Sequence, residues 1–365
     1  MVMENCFDGI YRGRKVFVSG VTGFKGSWLA AWLQMLGAEV TGISLDPPST
    51  PNHFDLLRLQ TTFEKADIRD YDKFESALIN SQAEIVFHLA AQALVSESYL
   101  DPLGTFSTNI IGTAILLNAC RRISTIKAIV VVTSDKCYEI KTGVRAFREE
   151  DPLSGYDPYS ASKACAEIIT SSFYRSFYQL DVPGHAAALI ATARAGNVIG
   201  GGDWARDRLI PDLVRAASSG KPAVIRQPGA IRPWQHVLES LSGYLLLGSL
   251  LWKGGKNFAG PWNFGPDQAG NLSVSEILHL ASSFWERCTY EILKTESFHE
   301  TECLMLDNTK ARRELSWQPV WDIQLALEKT MLWYRAAIED QRIITTDQIL
   351  EYTEAASEMH LNWIK

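Results

Sequence analysis

What this chain lacks narrows its chemistry first. Its six cysteines, Cys6, Cys120, Cys137, Cys165, Cys288 and Cys303, form no Cys-x-x-Cys pair, and several lie inside apolar segments. That pattern argues against a disulfide framework and fits reduced thiols in a cytoplasmic protein. The seven histidines are dispersed, with no ligand pair at helical spacing, so no metal site is expected. Basic charge is in deficit: 35 Lys and Arg face 42 Asp and Glu, for a net charge of -7, which is not the footprint of a nucleic-acid binder. The N-terminus carries Glu4 and Asp8 and no basic stretch followed by an apolar core, so no signal peptide is expected. The most apolar stretch, Leu241 to Trp252, is shorter than the roughly 20 residues that span a bilayer and reads as a buried helix. No repeat or low-complexity tract is evident.

What is present is a 365-residue chain, 46% hydrophobic, long enough for a large core and two lobes. Its first half alternates β-branched runs with helical patterns, the signature of a parallel sheet covered on both faces. Strands are expected at Lys15 to Val18, Glu39 to Ser44, Glu84 to His88, Ala128 to Thr133 and Ala186 to Thr192, with helices beginning near Gly23, Asp72, Gly104 and Tyr159. The predicted fold is α/β, a Rossmann-type doubly wound parallel sheet with a smaller mixed C-terminal substrate lobe. Residues 1–198 make the dinucleotide-binding domain, to which 237–258 return, and 199–236 with 259–365 make the second lobe. Beyond Asp340 the tail is acidic and helix-permissive, and its role is not legible.

Gly20-Val-Thr-Gly23-Phe-Lys-Gly26 follows the first strand and opens a helical run. Glycines there allow a tight turn and close backbone approach, while the helix N-terminus offers free N–H groups to a pyrophosphate. Asp46 ends the second strand, 20 positions after Gly26. It either bonds a ribose diol and repels a 2′-phosphate, favouring NAD over NADP, or only opens the turn with Pro47-Pro48. Asp67 and Ile68 suit the adenine side, and Leu89-Ala90-Ala91-Gln92 lies beneath the cofactor.

Tyr159 and Lys163 stand four residues apart, on one face of a helix. The lysine charge is expected to lower the phenol pKa toward neutrality and make Tyr159 a usable base. Upstream, the strand from Ala128 runs out in Thr133-Ser-Asp-Lys136.

With these elements in this order, the chain resembles the extended short-chain dehydrogenase/reductase family over nearly its full length. Shorter stretches are more specific: Thr22-Gly-Phe-Lys-Gly-Ser-Trp-Leu29, Thr133-Ser-Asp-Lys-Cys-Tyr138, Tyr156-Asp-Pro-Tyr-Ser-Ala-Ser-Lys163, Arg194 to Trp204, Arg208-Leu-Ile-Pro211, Ile231 to Val237 and Trp262-Asn-Phe-Gly-Pro266. They are similar to those of the family's 4,6-dehydratases acting on CDP-glucose, although that group carries His at the place of Val21 and Arg at the place of Ser96. The resemblance implies a cofactor set of Gly20, Thr22, Gly23, Phe24, Lys25, Gly26, Asp46, Asp67, Ile68, Leu89, Ala90, Ala91, Gln92, Asn109, Tyr159 and Lys163. It implies NAD as cofactor and CDP-glucose or a related nucleotide hexose as substrate. A 4,6-dehydration needs a base for C4 oxidation (Tyr159, with Lys163), a hydroxyl sharing the C4 oxygen (Thr133) and an acid to expel the C6 hydroxyl (Asp135). Lys136 is the C5 base or a cation stabilising the enolate. Asn197, Arg208, Arg232 and His236 are the expected diphosphate contacts, His236 being equally readable as packing. A 4-epimerase or C4 reductase would need no ionisable pair at 135–136, and a non-catalytic NAD-binding regulator would need no Tyr/Lys pair. The implied setting is cytoplasmic deoxysugar biosynthesis for surface polysaccharide such as the lipopolysaccharide O-antigen.

Surplus apolar residues on the Gly104 helix (Ile110, Ile111, Ala114, Ile115, Leu116, Leu117) and on the Tyr159 helix (Ile168, Ile169, Phe173, Phe177) suggest partner helices. A homodimer or homotetramer is expected.

Overall fold

The computed structural model of the chain describes residues 2–140, 145–179, 182–293 and 303–364. Seven parallel strands form one sheet: β1 Lys15–Ser19, β2 Glu39–Ser44, β3 Thr62–Lys65, β4 Ile85–His88, β5 Ala128–Val132, β6 Leu189–Ala195 and β7 Gly260–Phe264. Their order, β7-β6-β5-β4-β1-β2-β3, reverses direction of growth between β1 and β4, where a doubly wound fold opens its ligand crevice. Alternation along the central strands serves two cores. Val16, Val18, Ile85, Phe87, Val130 and Val132 face one layer, and Phe17, Val86, Ile129 and Val131 face the other. Helices α1 (Phe24–Met35) and α6 (Val237–Trp252) cover the first face, while α2 (Tyr71–Ser81), α3 (Pro102–Cys120) and α4 (Pro158–Phe177) cover the second.

Two strands carry weak sequence signals. Thr62–Lys65 is short, polar and largely exposed at one edge. Gly260–Phe264 begins with Gly-Pro yet pairs with β6 along its length, a position an edge strand tolerates. The second-lobe boundary expected at 259 therefore runs differently here, because Trp262, Asn263 and Phe264 are buried in the main sheet. The helix expected from Arg208 is α5 (Leu209–Ser218); α7 (Val274–Phe284), α8 (Ile323–Glu339) and α9 (Thr345–Glu358) follow.

The tail past Asp340 folds back onto the sheet's first face. His53 accepts or donates at both ring nitrogens, to Ser27 on α1 and Thr345 at the start of α9, at 2.7 Å each. Glu239 on α6, fully buried, accepts from Val320 N, Trp321 N and the Tyr352 hydroxyl of α9. Phe7 stacks on Trp363 at 5.0 Å, closing the two ends of the chain together.

Helix α3 is 19 residues long with a mean hydropathy of 1.3, the length and composition of a membrane-crossing helix. Its inner face is committed to protein, Leu116 and Leu117 through the core and its polar residues through hydrogen bonds. Asn109 bonds Gln92 and Ser162, and Thr113 bonds His88. The apolar residues Leu103 and Ile111 are exposed, as are Ile168 and Phe177 of α4.

Candidate active site

The crevice is built on the C-terminal ends of β1, β4 and β5. Gly20 has a φ of +77°, and a Cβ there would come within 2.7 Å of Ala90 N, so only glycine lets the β1 turn pass the β4 end. Gly26 sits so close to the Gly20 carbonyl that any side chain would collide with it, which brings the α1 N-terminus onto the loop. The cradle, the free N–H groups of α1 and the small Ala90 and Ala91 fit a dinucleotide pyrophosphate. Thr22 spends its hydroxyl on Ser44 and the Leu45 carbonyl, pinning the β2 end. Beyond that end Asp46 is exposed and pairs with Lys65 at 2.6 Å. Asp67 is held by Arg69, whose hydrogen bonds keep its carboxyl below the ordinary range. Asn109 is less available than expected: buried in a wide turn of α3, it gives its amide to the Gln92 backbone and to Ser162. It fixes the Leu89-to-Gln92 loop against α4.

Helix α4 starts where Asp157 accepts from Ser160 N and Pro158 occupies the first turn, a favourable N-terminus. This sets Tyr159 and Lys163, 8% and 7% exposed, against the end of β5. The expected effect of the lysine is not what the structure gives. Burial pushes the Tyr159 phenol up to about 12, and a hydrogen bond with Ser134 and the charge of Arg208 offset this only partly. Burial also brings Lys163 down to about 8, against the charge of Glu167, and its ammonium donates to the Val132 carbonyl at 3.4 Å. Both groups are out of water, so desolvation disfavours phenolate and ammonium alike.

Thr133 is not the hydroxyl at the crevice. Its Oγ1 donates to Glu167, inside a buried network in which Glu167 also takes Arg194 through both oxygens, at 2.9 and 2.8 Å, and Thr192 at 2.7 Å. Ser134 is extended, so its side chain points to the opposite side from that of Thr133, and it is Ser134 that bonds Tyr159. The same hydroxyl donates to Asp135 at 3.0 Å and accepts from Lys136 N. The period-2 alternation of β5 carried this signal, had the strand end been fixed.

Asp135 is 3% exposed and its Oδ2 has no hydrogen-bond partner among the described residues. Burial raises its pKa, while Lys136, Ser134, Arg232 and Lys25 pull it back. A carboxyl that is costly to ionise, with one oxygen free, is equipped to donate a proton. Arg208 caps the cleft from the start of α5, tied to Asp203 at 2.8 Å, and its charge reaches Tyr159. Arg232 is buried and its charge reaches Asp135 and Cys303. Asn197 is half-buried at the end of β6, its carbonyl accepting from Gln235 N. His236 does not belong with them. It is fully buried, caps α6 through Leu238 N and lies edge-on to Trp28 and Trp321, where burial lowers its pKa to about 3. Ser96 donates to Asp207 at 2.8 Å, spanning the rim between the β4 side and Arg208.

Comparison with known proteins places the chain in a family. The family model of GDP-mannose 4,6 dehydratase matches residues 17–248. The CDP-glucose 4,6-dehydratase of Salmonella typhimurium is 44% identical over 95% of this chain and 98% of its own. Among solved structures, a dTDP-glucose 4,6-dehydratase from Bacillus anthracis in complex with NAD superposes with a TM-score of 0.73 at 21% identity, over 90% of this chain and 98% of that one. A UDP-glucose 4-epimerase from Thermotoga maritima gives 0.76 at 22%, over 88% and 99%. At such identities these two structures speak for the fold alone. The matched range takes in the glycine loop, Asp135 and the Tyr159–Lys163 pair, and the chain belongs to the GDP-mannose 4,6 dehydratase family.

Proposed function

We propose that this chain is an NAD-dependent nucleotide-sugar 4,6-dehydratase that converts CDP-D-glucose to CDP-4-dehydro-6-deoxy-D-glucose and water. The observation that carries the reading is Asp135, a buried carboxyl with a free oxygen, joined through Ser134 to the Tyr159 phenol. Oxidoreduction at C4 needs no acid at that place; expulsion of a C6 hydroxyl does. The 44% identity to a CDP-glucose 4,6-dehydratase supports the choice of reaction and of nucleotide.

In this reading the Gly20-to-Gly26 loop, Asp46, Asp67, Ile68, the Leu89-to-Gln92 segment and Lys163 would hold NAD, which when bound would supply a hydride acceptor for C4 and a hydride donor for C6, C5 being reprotonated in the same step. Tyr159 takes the C4 hydroxyl proton, and Ser134 rather than Thr133 shares the bond to that oxygen. Once C4 is a ketone the C5 hydrogen is acidic, and Asp135 protonates the departing C6 hydroxyl. Lys136 lies next to Asp135 and takes the C5 proton or stabilises the enolate; exchange of C5 deuterium into solvent in Lys136→Met separates the two roles. Arg208, Arg232 and Asn197 are proposed to hold the diphosphate, arginine being suited to two-point contact with phosphate oxygens. The product would feed deoxysugar biosynthesis in the cytoplasm. The exposed Leu103, Ile111 and Ile168 on α3 and α4 support a homodimer joined through these helices, which light scattering would refute by returning a monomer mass at micromolar concentration.

The test is incubation of the purified protein with CDP-glucose and NAD. A 4-keto-6-deoxy sugar, recognised by its absorbance in alkali, is the expected product. CDP-galactose instead would make the protein a 4-epimerase, and no turnover with either nucleotide sugar would refute the dehydratase reading.

A further inference from the structure

Lys25 is a cation of the cleft on which the repulsion of Arg208 and Lys163 and the cost of burial are set against the attraction of Asp135 alone among carboxylates. The charge of Arg208 is matched by Asp203 at 2.8 Å, and that of Lys163 by Glu167 one turn along α4. Lys25 makes no ion pair among the described residues. Its ammonium donates to the Tyr244 hydroxyl at 3.3 Å and lies over that ring at 5.7 Å, and Tyr244 is a fully buried phenol whose own ionisation burial suppresses. Asp135 and the contact with Tyr244 favour the charge, while burial, the helix dipole and the neighbouring cations disfavour it. Lys25 occupies the first turn of α1, at the positive end of the helix dipole. Burial lowers its pKa to about 7, with Arg208 and Lys163 repelling it and Asp135 the carboxylate that holds it up. An aliphatic residue would fill this space without that cost, so an ammonium kept here points to a use for its charge.

The direction of the side chain says which charges it can feel. It leaves the glycine loop, where the pyrophosphate would lie, and runs toward Lys163, Asp135 and Tyr244, the end of the cleft where Tyr159 works. A dinucleotide presents two kinds of charge to such a group. The pyrophosphate is an anion in both redox states and keeps the amine protonated, whereas the nicotinamide ring is cationic when oxidised and neutral when reduced. We propose that Lys25 is a positioning charge for cofactor redox, biasing the bound dinucleotide toward its reduced form. This rests on the reading of the cleft as an NAD site. The consequence suits a dehydratase, which must oxidise a plain secondary alcohol and then retain the reduced cofactor while water is lost.

The experiment measures dissociation constants for NAD⁺ and NADH separately, by calorimetry and by NADH fluorescence, on the parent, Lys25→Met, Lys25→Gln and the charge-keeping Lys25→Arg. In Lys25→Met the ratio of the NAD⁺ constant to the NADH constant is expected to fall about tenfold, equivalent to about 30 mV for a two-electron couple, with Lys25→Arg near the parent. Lys25→Gln, neutral and polar, gives the same reading if the methionine variant does not fold. Equal weakening of both forms would make Lys25 a pyrophosphate ligand and overturn the proposal; so would an unchanged ratio. Failure of the parent to bind either dinucleotide would refute the NAD reading itself, and would show before any variant is compared.

Discussion

Thr133 and Ser134 are adjacent hydroxyls that sequence reading exchanges and the structure separates, so substituting each one tests the assignment directly. Thr133→Val removes a hydroxyl that donates to the buried Glu167 and leaves shape almost unchanged. A hydrogen bond to a charged group contributes about 1.5–3 kcal/mol. Glu167 keeps Arg194 and Thr192, which places the loss toward the lower end. Unfolding entropy of about 2.1 cal/mol/K per residue over 365 residues amounts to about 0.8 kcal/mol/K, so the melting temperature should fall by roughly 2–4 °C. Turnover of folded Thr133→Val should stay within a few-fold of the parent. Ser134→Ala should do the reverse. It loses the hydroxyl bonded to Tyr159 and a short cap to Lys136 N, at about 1 kcal/mol of stability, while turnover drops by about 100-fold, the low end for losing one oriented donor at a reacting oxygen. Differential scanning fluorimetry and initial rates on the two variants suffice. If Thr133→Val abolishes turnover at unchanged melting temperature while Ser134→Ala is active, the side chains face opposite to the geometry described and the assignment fails.

Asp135→Asn keeps the shape of the acid but delivers no proton, so water loss should slow by roughly 100- to 10,000-fold while C4 oxidation proceeds, and stopped-flow absorbance should show NADH and a 4-keto hexose accumulating in one turnover. Loss of NADH formation in proportion to product would assign Asp135 to the fold or to hydride transfer. Asp46→Ser should weaken NAD and narrow its advantage over NADP, since a charge facing the 2′-position is gone; unchanged affinities would leave Asp46 as the opener of the Pro47-Pro48 turn. Burial raises Glu239 to about 7 from an ordinary 4.5, and a raised folded value contributes stability that is full below about pH 4.5 and lost as pH rises through about 7. The melting temperature of the parent should therefore fall between pH 5 and 8, with a flatter profile in Glu239→Gln; parallel profiles would show that some other group carries the dependence.

The sheet was legible because its central strands are buried on both faces and must be written in continuous Val, Ile and Ala, and the glycine loop because no other residue fits beside Ala90. β3 escaped notice for the opposite reason: an exposed edge strand of Thr, Phe, Glu and Lys has no apolar pattern to announce it. β7 was hidden by the Gly-Pro at its start. His236 shows how type is ambiguous without burial. A histidine after Arg-Pro-Trp-Gln reads equally as a phosphate contact or as packing, and the chain uses it to cap α6 amid tryptophans.

The electrostatics of the site were the least legible part, and the reason is physical. A Tyr–Lys spacing states that two groups can meet, but the sign of the resulting pKa change depends on whether attraction between them exceeds the cost of removing both from water. Tyr159 and Lys163 are both buried, the lysine has Glu167 on its other side, and the phenol is raised rather than lowered. Positive charge from elsewhere must then favour the phenolate when the cleft is filled. Arg208 already contributes, and it reaches the cleft from a helix start 49 positions after Tyr159, over a distance in sequence that no local pattern encodes. The same holds for Lys25, whose setting is visible only once Tyr244, 219 positions away, is seen to be its partner. A motif can nominate the base, whereas its proton affinity is set by residues that tertiary structure alone brings together.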